Sequence, residues 1–187
     1  MSDLEKLIEH IGEAEAASTA KRAWHPSECG DIDIRIASDG TWHHEGRPFQ
    51  RESLVKLFAS VLRREADGHY YLLTPAEKMR IIVDDAPFVA VRVDQINEQE
   101  KQALLFTTNL GDQVIADVDH PIWVEQNPQT GEPRPYLQCR DNLHALIARA
   151  PFMELVTLAD SYQRNNKTYL AVESLGQSFD LGAVDEE

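Results

Sequence analysis

The feature that most constrains this chain is a strict alternation, Ile32-Asp33-Ile34-Arg35-Ile36, closed by Ser38-Asp39-Gly40. Successive side chains of an extended strand point to opposite faces, so the three isoleucines line one buried face and Asp33 and Arg35 meet solvent. Further short extended runs, each bounded by turn-forming residues, follow at 41–44, 69–73, 79–83, 88–93, 103–107 and 114–118. Such punctuation demands sheets. The polar turns Asn97-Glu98-Gln99-Glu100 and Asn109-Leu110-Gly111-Asp112 predict an antiparallel meander in the middle of the chain.

Helical periodicity is confined to a few places. Ser2 and Glu5 match a capping box, and Leu4, Leu7, Ile8 and Ile11 predict a short amphipathic N-terminal helix before a polar linker that ends near Ala23. That helix either packs on the body or pairs with a second copy in a homodimer. The clearest helix is predicted over Arg51–Arg64, where Leu54, Val55, Leu57, Phe58, Val61 and Leu62 make a broad apolar face.

The chain then repeats an order of features. Strand, Asp39-Gly40 turn, Trp42, Gly46-Arg47-Pro48, a helix and paired strands around Tyr71-Leu72 are followed by strand 114–118, His120-Pro121, Trp123, and Gly131-Glu132-Pro133. The second series continues with a helix after Arg140-Asp141-Asn142-Leu143 and strands around Tyr169-Leu170. The expected architecture is α+β: two related β-hairpin/helix/β-hairpin motifs with antiparallel sheets, plus the N-terminal helix. The expected segments are 1–23, 24–93 and 94–187.

Several of the same residues carry a family resemblance. Trp24-His25-Pro26-x-x-Cys29-Gly30-Asp31-Ile32-Asp33-x-Arg35-Ile36 and Asp39-Gly40-Thr41-Trp42 are joined by Leu62-Arg63-Arg64-Glu65. Tyr70-Tyr71-Leu72-x-Thr74-Pro75-x-Glu77-Lys78 and Asp84-Asp85-Ala86-Pro87-Phe88 complete the set. Together they resemble the bacterial domain-of-unknown-function 1285 family. The resemblance implies repeated α+β motifs and a role in signal transduction, and brings no catalytic residues. Family members often carry aromatic residues where this chain has His43 and His44.

Charge narrows the partners. A net charge of -14 over 187 residues repels phosphate backbones and anionic bilayers, so neither nucleic acid nor membrane is expected. Two widely separated cysteines and no leader-like or membrane-length apolar run predict a cytoplasmic protein with reduced thiols.

The chemistry-bearing residues are few. Adjacent on a strand, His43 and His44 face opposite ways and cannot share one ion, so no metal is expected. His25 and Cys29 form a candidate reactive pair, since a neighbouring imidazolium lowers a thiol pKa. Pockets favour domain interfaces, so a cleft is expected at the junction of the two halves, lined by Trp42, Arg51, Tyr71 and Glu77. Arg51 begins a helix after a Gly-x-Pro break and suits an anion. The leading expectation is a non-enzymatic regulatory module, without cofactor, that binds a small molecule or a protein partner. The alternative is a hydrolase or other enzyme using His25, Cys29 and nearby carboxylates, with or without a metal.

Overall fold

Ile32, Ile34 and Ile36 are buried and Asp31, Asp33 and Arg35 exposed, as their alternation requires. The computed structural model describes residues 3–17, 24, 26 and 28–184. Ser2, the linker 18–23 and His25 therefore lie outside the described residues. The chain forms two units, Met1–Asp85 and Ala86–Glu187. The division drawn from the sequence, between Val93 and Asp94, falls inside a continuous strand, Phe88–Glu98.

The first unit contains helix α1 (Asp3–Ala17), β1 (Glu28–Ile36), β2 (Trp42–His44), β3 (Arg47–Pro48), α2 (Glu52–Ser60), β4 (Leu62–Arg64), β5 (Tyr70–Leu73) and β6 (Glu77–Val83). Its sheet runs β3-β2-β1-β6-β5-β4. The β1–β6 pair at its centre is parallel and the other neighbours are antiparallel. Gly40, at φ 84°, closes the first hairpin, and the Asp39 carboxylate accepts the Thr41 N–H at 2.8 Å. Glu45 and Gly46, at φ 49° and 74°, make the second turn, in which both central residues are left-handed.

Helix α2 stops at Ser60, short of the expected Arg64. Val61 and Leu62 are buried, but Leu62, Arg63 and Arg64 pair with Leu72, Tyr71 and Tyr70 of β5. A short run of buried apolar residues suits either a helix face or a strand, and here the ladder to β5 decides it. The core side of the sheet receives Val55, Phe58 and Ala59 of α2. The Trp42 and Phe58 rings stack at 6.3 Å, and Phe49 meets Phe58 edge-on at 5.5 Å. In α1, Leu7 and Ile11 are fully buried, and His10 Nδ1 lies 2.9 Å from Glu77 at the start of β6.

The second unit contains β7 (Phe88–Glu98), β8 (Lys101–Thr108), β9 (Gln113–Ile115), β10 (Ile122–Gln126), β11 (Pro133–Arg140), β12 (Leu143–Ile147), α3 (Arg149–Leu158), β13 (Asp160–Arg164), β14 (Lys167–Ser174) and β15 (Gln177–Ala183). Strands β7 to β12 form a six-stranded sheet, β10-β11-β12-β7-β8-β9, again with one parallel pair at its centre, β12–β7. A three-stranded antiparallel sheet, β13-β14-β15, follows α3. Buried Ser174 ties it to the larger sheet: its hydroxyl donates to the Ala116 carbonyl at 2.6 Å and accepts the Leu104 N–H at 2.9 Å.

Both six-stranded sheets are wired alike. Three strands wind outward, three wind inward, and the first and last meet in parallel. The duplication expected from the sequence is present at this level, with three corrections. The sheets are mixed rather than antiparallel, and the described residues are mostly β, with three helices. The corresponding strands are β1 with β7 and β4 with β10, so Trp42 in a second strand does not match Trp123 in a fourth. The unit-two helix follows its sheet instead of dividing it. Where α2 sits in the first unit, the second has a turn in which Asp117 accepts the N–H groups of Asp119 and His120. The segment after Asn142, expected as helix, is β12.

Among the described residues no helix is long and apolar enough to cross a membrane.

Candidate functional site

All four residues expected to line a cleft belong to the first unit, and the sheet separates them. Trp42 pairs with Ile36 on the core face and is 2% exposed; its Nε1 is buried with no hydrogen-bond partner among the described residues. Tyr71 pairs with Arg80, which pairs with Asp31 on the opposite face. Strands β1 and β6 lie between β2 and β5, so Trp42 and Tyr71 do not converge. The Tyr71 hydroxyl donates to Asp67 Oδ2 at 2.6 Å, and Lys78 Nζ sits 4.3 Å from its ring centre. The Asp67 carboxylate pushes the phenol up to about 12, because losing its proton would set two anions side by side. Glu77 is engaged by His10, and Arg51 is exposed at the start of α2 with no side-chain cap.

Cys29 is exposed beside Lys78 across the β1–β6 pair. Its expected partner, His25, lies outside the described residues. The other thiol, Cys139, is pushed up to about 12 by burial, which disfavours the thiolate. His43 pairs with exposed Arg35 and His44 with buried Ile34, so the two imidazoles do face opposite sides. His44 stacks on Phe49 at 6.1 Å, while His43 borders a shallow concavity with Asp33 and the Arg35–Asp84 fork, whose two bonds are both 2.8 Å.

A more developed concavity lies within the second unit. Strand β10 is the edge of its sheet and β15 the edge of the smaller sheet, and the two run close to each other. Between them, beside α3, opens a groove of about 860 Å³. Its apolar lining comes from Ile122 and Val124 of β10, Phe152 and Val156 of α3, and Leu170 and Leu181 of the smaller sheet. Alternation explains the supply: Ile122 and Leu181 are core residues whose strands end at an uncovered edge.

Three aromatic residues line the groove: Trp123, Phe152 and Tyr169. Trp123 is held from two directions. Its ring stacks on Tyr136 at 5.5 Å, and its Nε1 donates to Glu125 at 3.0 Å. Tyr169 stacks on Tyr162 at 5.7 Å, with the Arg164 guanidinium 5.9 Å from its ring centre. The Tyr162 hydroxyl donates to Asp180 Oδ2 at 2.9 Å, and this bond raises the Tyr162 pKa. Asp180 Oδ1 accepts the Gly182 N–H at 2.9 Å. Lys167 also lines the groove and has no side-chain partner among the described residues. No serine, cysteine or histidine appears among the described lining residues. In the sequence Trp123 and Tyr169 stand out only as markers of the repeat, and Lys167 and Asp180 carry no local signal. The Asn165-Asn166 turn between two tyrosine-bearing runs was the one local hint.

Comparison with known proteins agrees with the two-unit division. Residues 21–86 match the model of the "Domain of unknown function (DUF1285), N-terminal domain", and residues 87–181 that of the "Protein of unknown function (DUF1285), C-terminal domain". Among curated proteins none matches. The chain is similar to a DUF1285 family protein from Silicibacter pomeroyi DSS-3, at 41% identity over 95% of each chain and a TM-score of 0.82. It is also similar to a DUF1285 family protein from Shewanella baltica OS155, at 27% identity over 66% of this chain and 90% of the other, with a TM-score of 0.51. Two adjoining family matches and a near-complete structural relative establish that this chain belongs to the DUF1285 family.

Proposed function

We propose that this chain is a non-enzymatic regulatory module that binds a small molecule in the groove of its second unit. The observation that carries this reading is the groove itself. Its volume lies within the range of small-molecule sites, and aromatic and aliphatic residues outnumber the polar ones, Gln126, Lys167 and Asp180, in its lining. Rings already held by Tyr136, Glu125 and Tyr162 lose little freedom when a ligand arrives, which favours binding. A lining rich in rings and poor in nucleophiles supports recognition over turnover, and the family resemblance supports a signalling context.

A neutral environment-sensitive dye, phenylnaphthylamine, tests the groove without presuming the natural ligand. Its fluorescence should rise on mixing with folded protein, and the melting temperature should rise with dye concentration. Val184→Arg places a cation on the exposed border of the groove and should abolish both effects while leaving the dye-free melting temperature unchanged. Full dye binding by this variant would move the binding site elsewhere and remove the reading.

A further inference from the structure

Resting on that reading, we infer that the natural ligand of the groove is an aromatic anion, a flat apolar body bearing a carboxylate, sulfonate or phosphate, with Lys167 as the group that holds its charge.

The argument begins with the hairpin. Arg164 and Lys167 face each other across the β13–β14 ladder, flanking Asn165 and Asn166, both at positive φ. Like charges directly opposite on paired strands repel each other. An anion lodged beside Lys167 relieves that repulsion. The arginine is occupied, its guanidinium against Tyr169, whereas the lysine ammonium has no partner among the described residues. In a chain of net charge -14, a lysine with no carboxylate partner among the described residues, at the border of an aromatic groove, suits an anion by charge complementarity.

The acids in reach do not serve a cationic ligand as well. Each oxygen of Asp180 already accepts a hydrogen bond, one from Tyr162 and one from Gly182. Glu125 is taken up by the Trp123 indole. These carboxylates keep their negative charge, and Lys167 is the one cationic side chain among the described lining residues. The body of the ligand follows from the walls: Trp123, Phe152 and Tyr169 offer aromatic surface, which pairs with flat rings in stacked or edge-on contact.

The test compares two dyes of nearly the same shape on the full chain. Anilinonaphthalene sulfonate carries the anion, and phenylnaphthylamine lacks it. Both are titrated by fluorescence at low salt, with melting temperature as the second readout to confirm binding to folded protein. The sulfonate should bind roughly fivefold tighter than the amine, and added salt should erase that advantage. Lys167→Gln should abolish the advantage and leave amine affinity unchanged. Asp180→Asn, which keeps an acceptor and removes a negative charge, should widen it. Lys101→Gln, on β8 and absent from the groove lining, should change nothing.

Equal affinity of the two dyes for the wild-type chain would overturn the anion assignment and leave the groove standing. So would a Lys167→Gln variant that binds the sulfonate as tightly as before, or that weakens both dyes alike. Binding of neither dye would overturn the groove reading and the anion inference together.

Discussion

Two thiols and one phenol carry the clearest residue-scale consequences. Cys139, raised by burial to about 12, holds almost no thiolate near neutral pH, whereas Cys29 is exposed. A chromogenic disulfide reagent should therefore titrate one thiol promptly in native protein and the second only after denaturation. Cys29→Ser should remove the prompt one. The enzymatic alternative built on His25 and Cys29 needs that prompt reaction to be much faster than that of a free thiol at the same pH; an ordinary rate would retire it. Tyr71 makes the second prediction. Its phenol keeps its proton in the fold to about pH 12, whereas the unfolded chain releases it near the ordinary value of 10. Above pH 10 the unfolded state therefore binds fewer protons, and stability falls as pH rises through that window. Phenolate absorbance should show late-titrating tyrosines, and Asp67→Ala should return one of them, Tyr71, toward its ordinary value. At this scale the opposed faces of His43 and His44 were readable from adjacency on a strand. The meeting of Trp123 with Lys167 and Tyr169 at one groove was not, because β10 and β14 lie far apart in sequence.

At the scale of elements, alternation served well and helical periodicity less well. Ile32, Ile34 and Ile36, the Asp39-Gly40 turn and the Gln99-Glu100 hairpin stand where their patterns put them. The misplaced boundaries share one cause. Val61-Leu62 and Leu143–Ile147 are short apolar runs whose state depends on a strand partner, β5 in one case and β11 with β7 in the other. Pairing of that kind overrides local propensity. Ser174 gives this scale its prediction. Its hydroxyl bridges Ala116 and Leu104 at full burial, so Ser174→Ala leaves a carbonyl and an N–H without a partner. The cost should be about 1–3 kcal/mol for each unpaired group that water cannot reach, seen in chemical denaturation. A loss below a few tenths of a kcal/mol would mean that the smaller sheet does not depend on this bridge.

On the scale of the whole molecule, the repeat is one of connectivity rather than of residues. The expected alignment of Trp42 with Trp123 joined a second strand to a fourth. It was drawn to a rare residue that happens to follow a turn in both halves. What the two units share is invisible to any local pattern, because parallel pairing of a first strand with a sixth leaves no signature in either. Each unit nonetheless has its own core, around Phe58 and Leu72 in one and Phe106 and Leu137 in the other.

That central parallel pair sets the order in which the protein can be made. On a ribosome β1 emerges early, with an unsatisfied edge that nothing in its own meander can cover. It must wait for β6, about fifty residues later, and β7 must wait in the same way for β12. Each sheet thus closes from the middle, last strand against first, and a nascent chain interrupted anywhere inside a unit carries an open strand edge. Each sheet is first complete when its sixth strand, ending at Val83 in one unit and at Ile147 in the other, has cleared the exit tunnel.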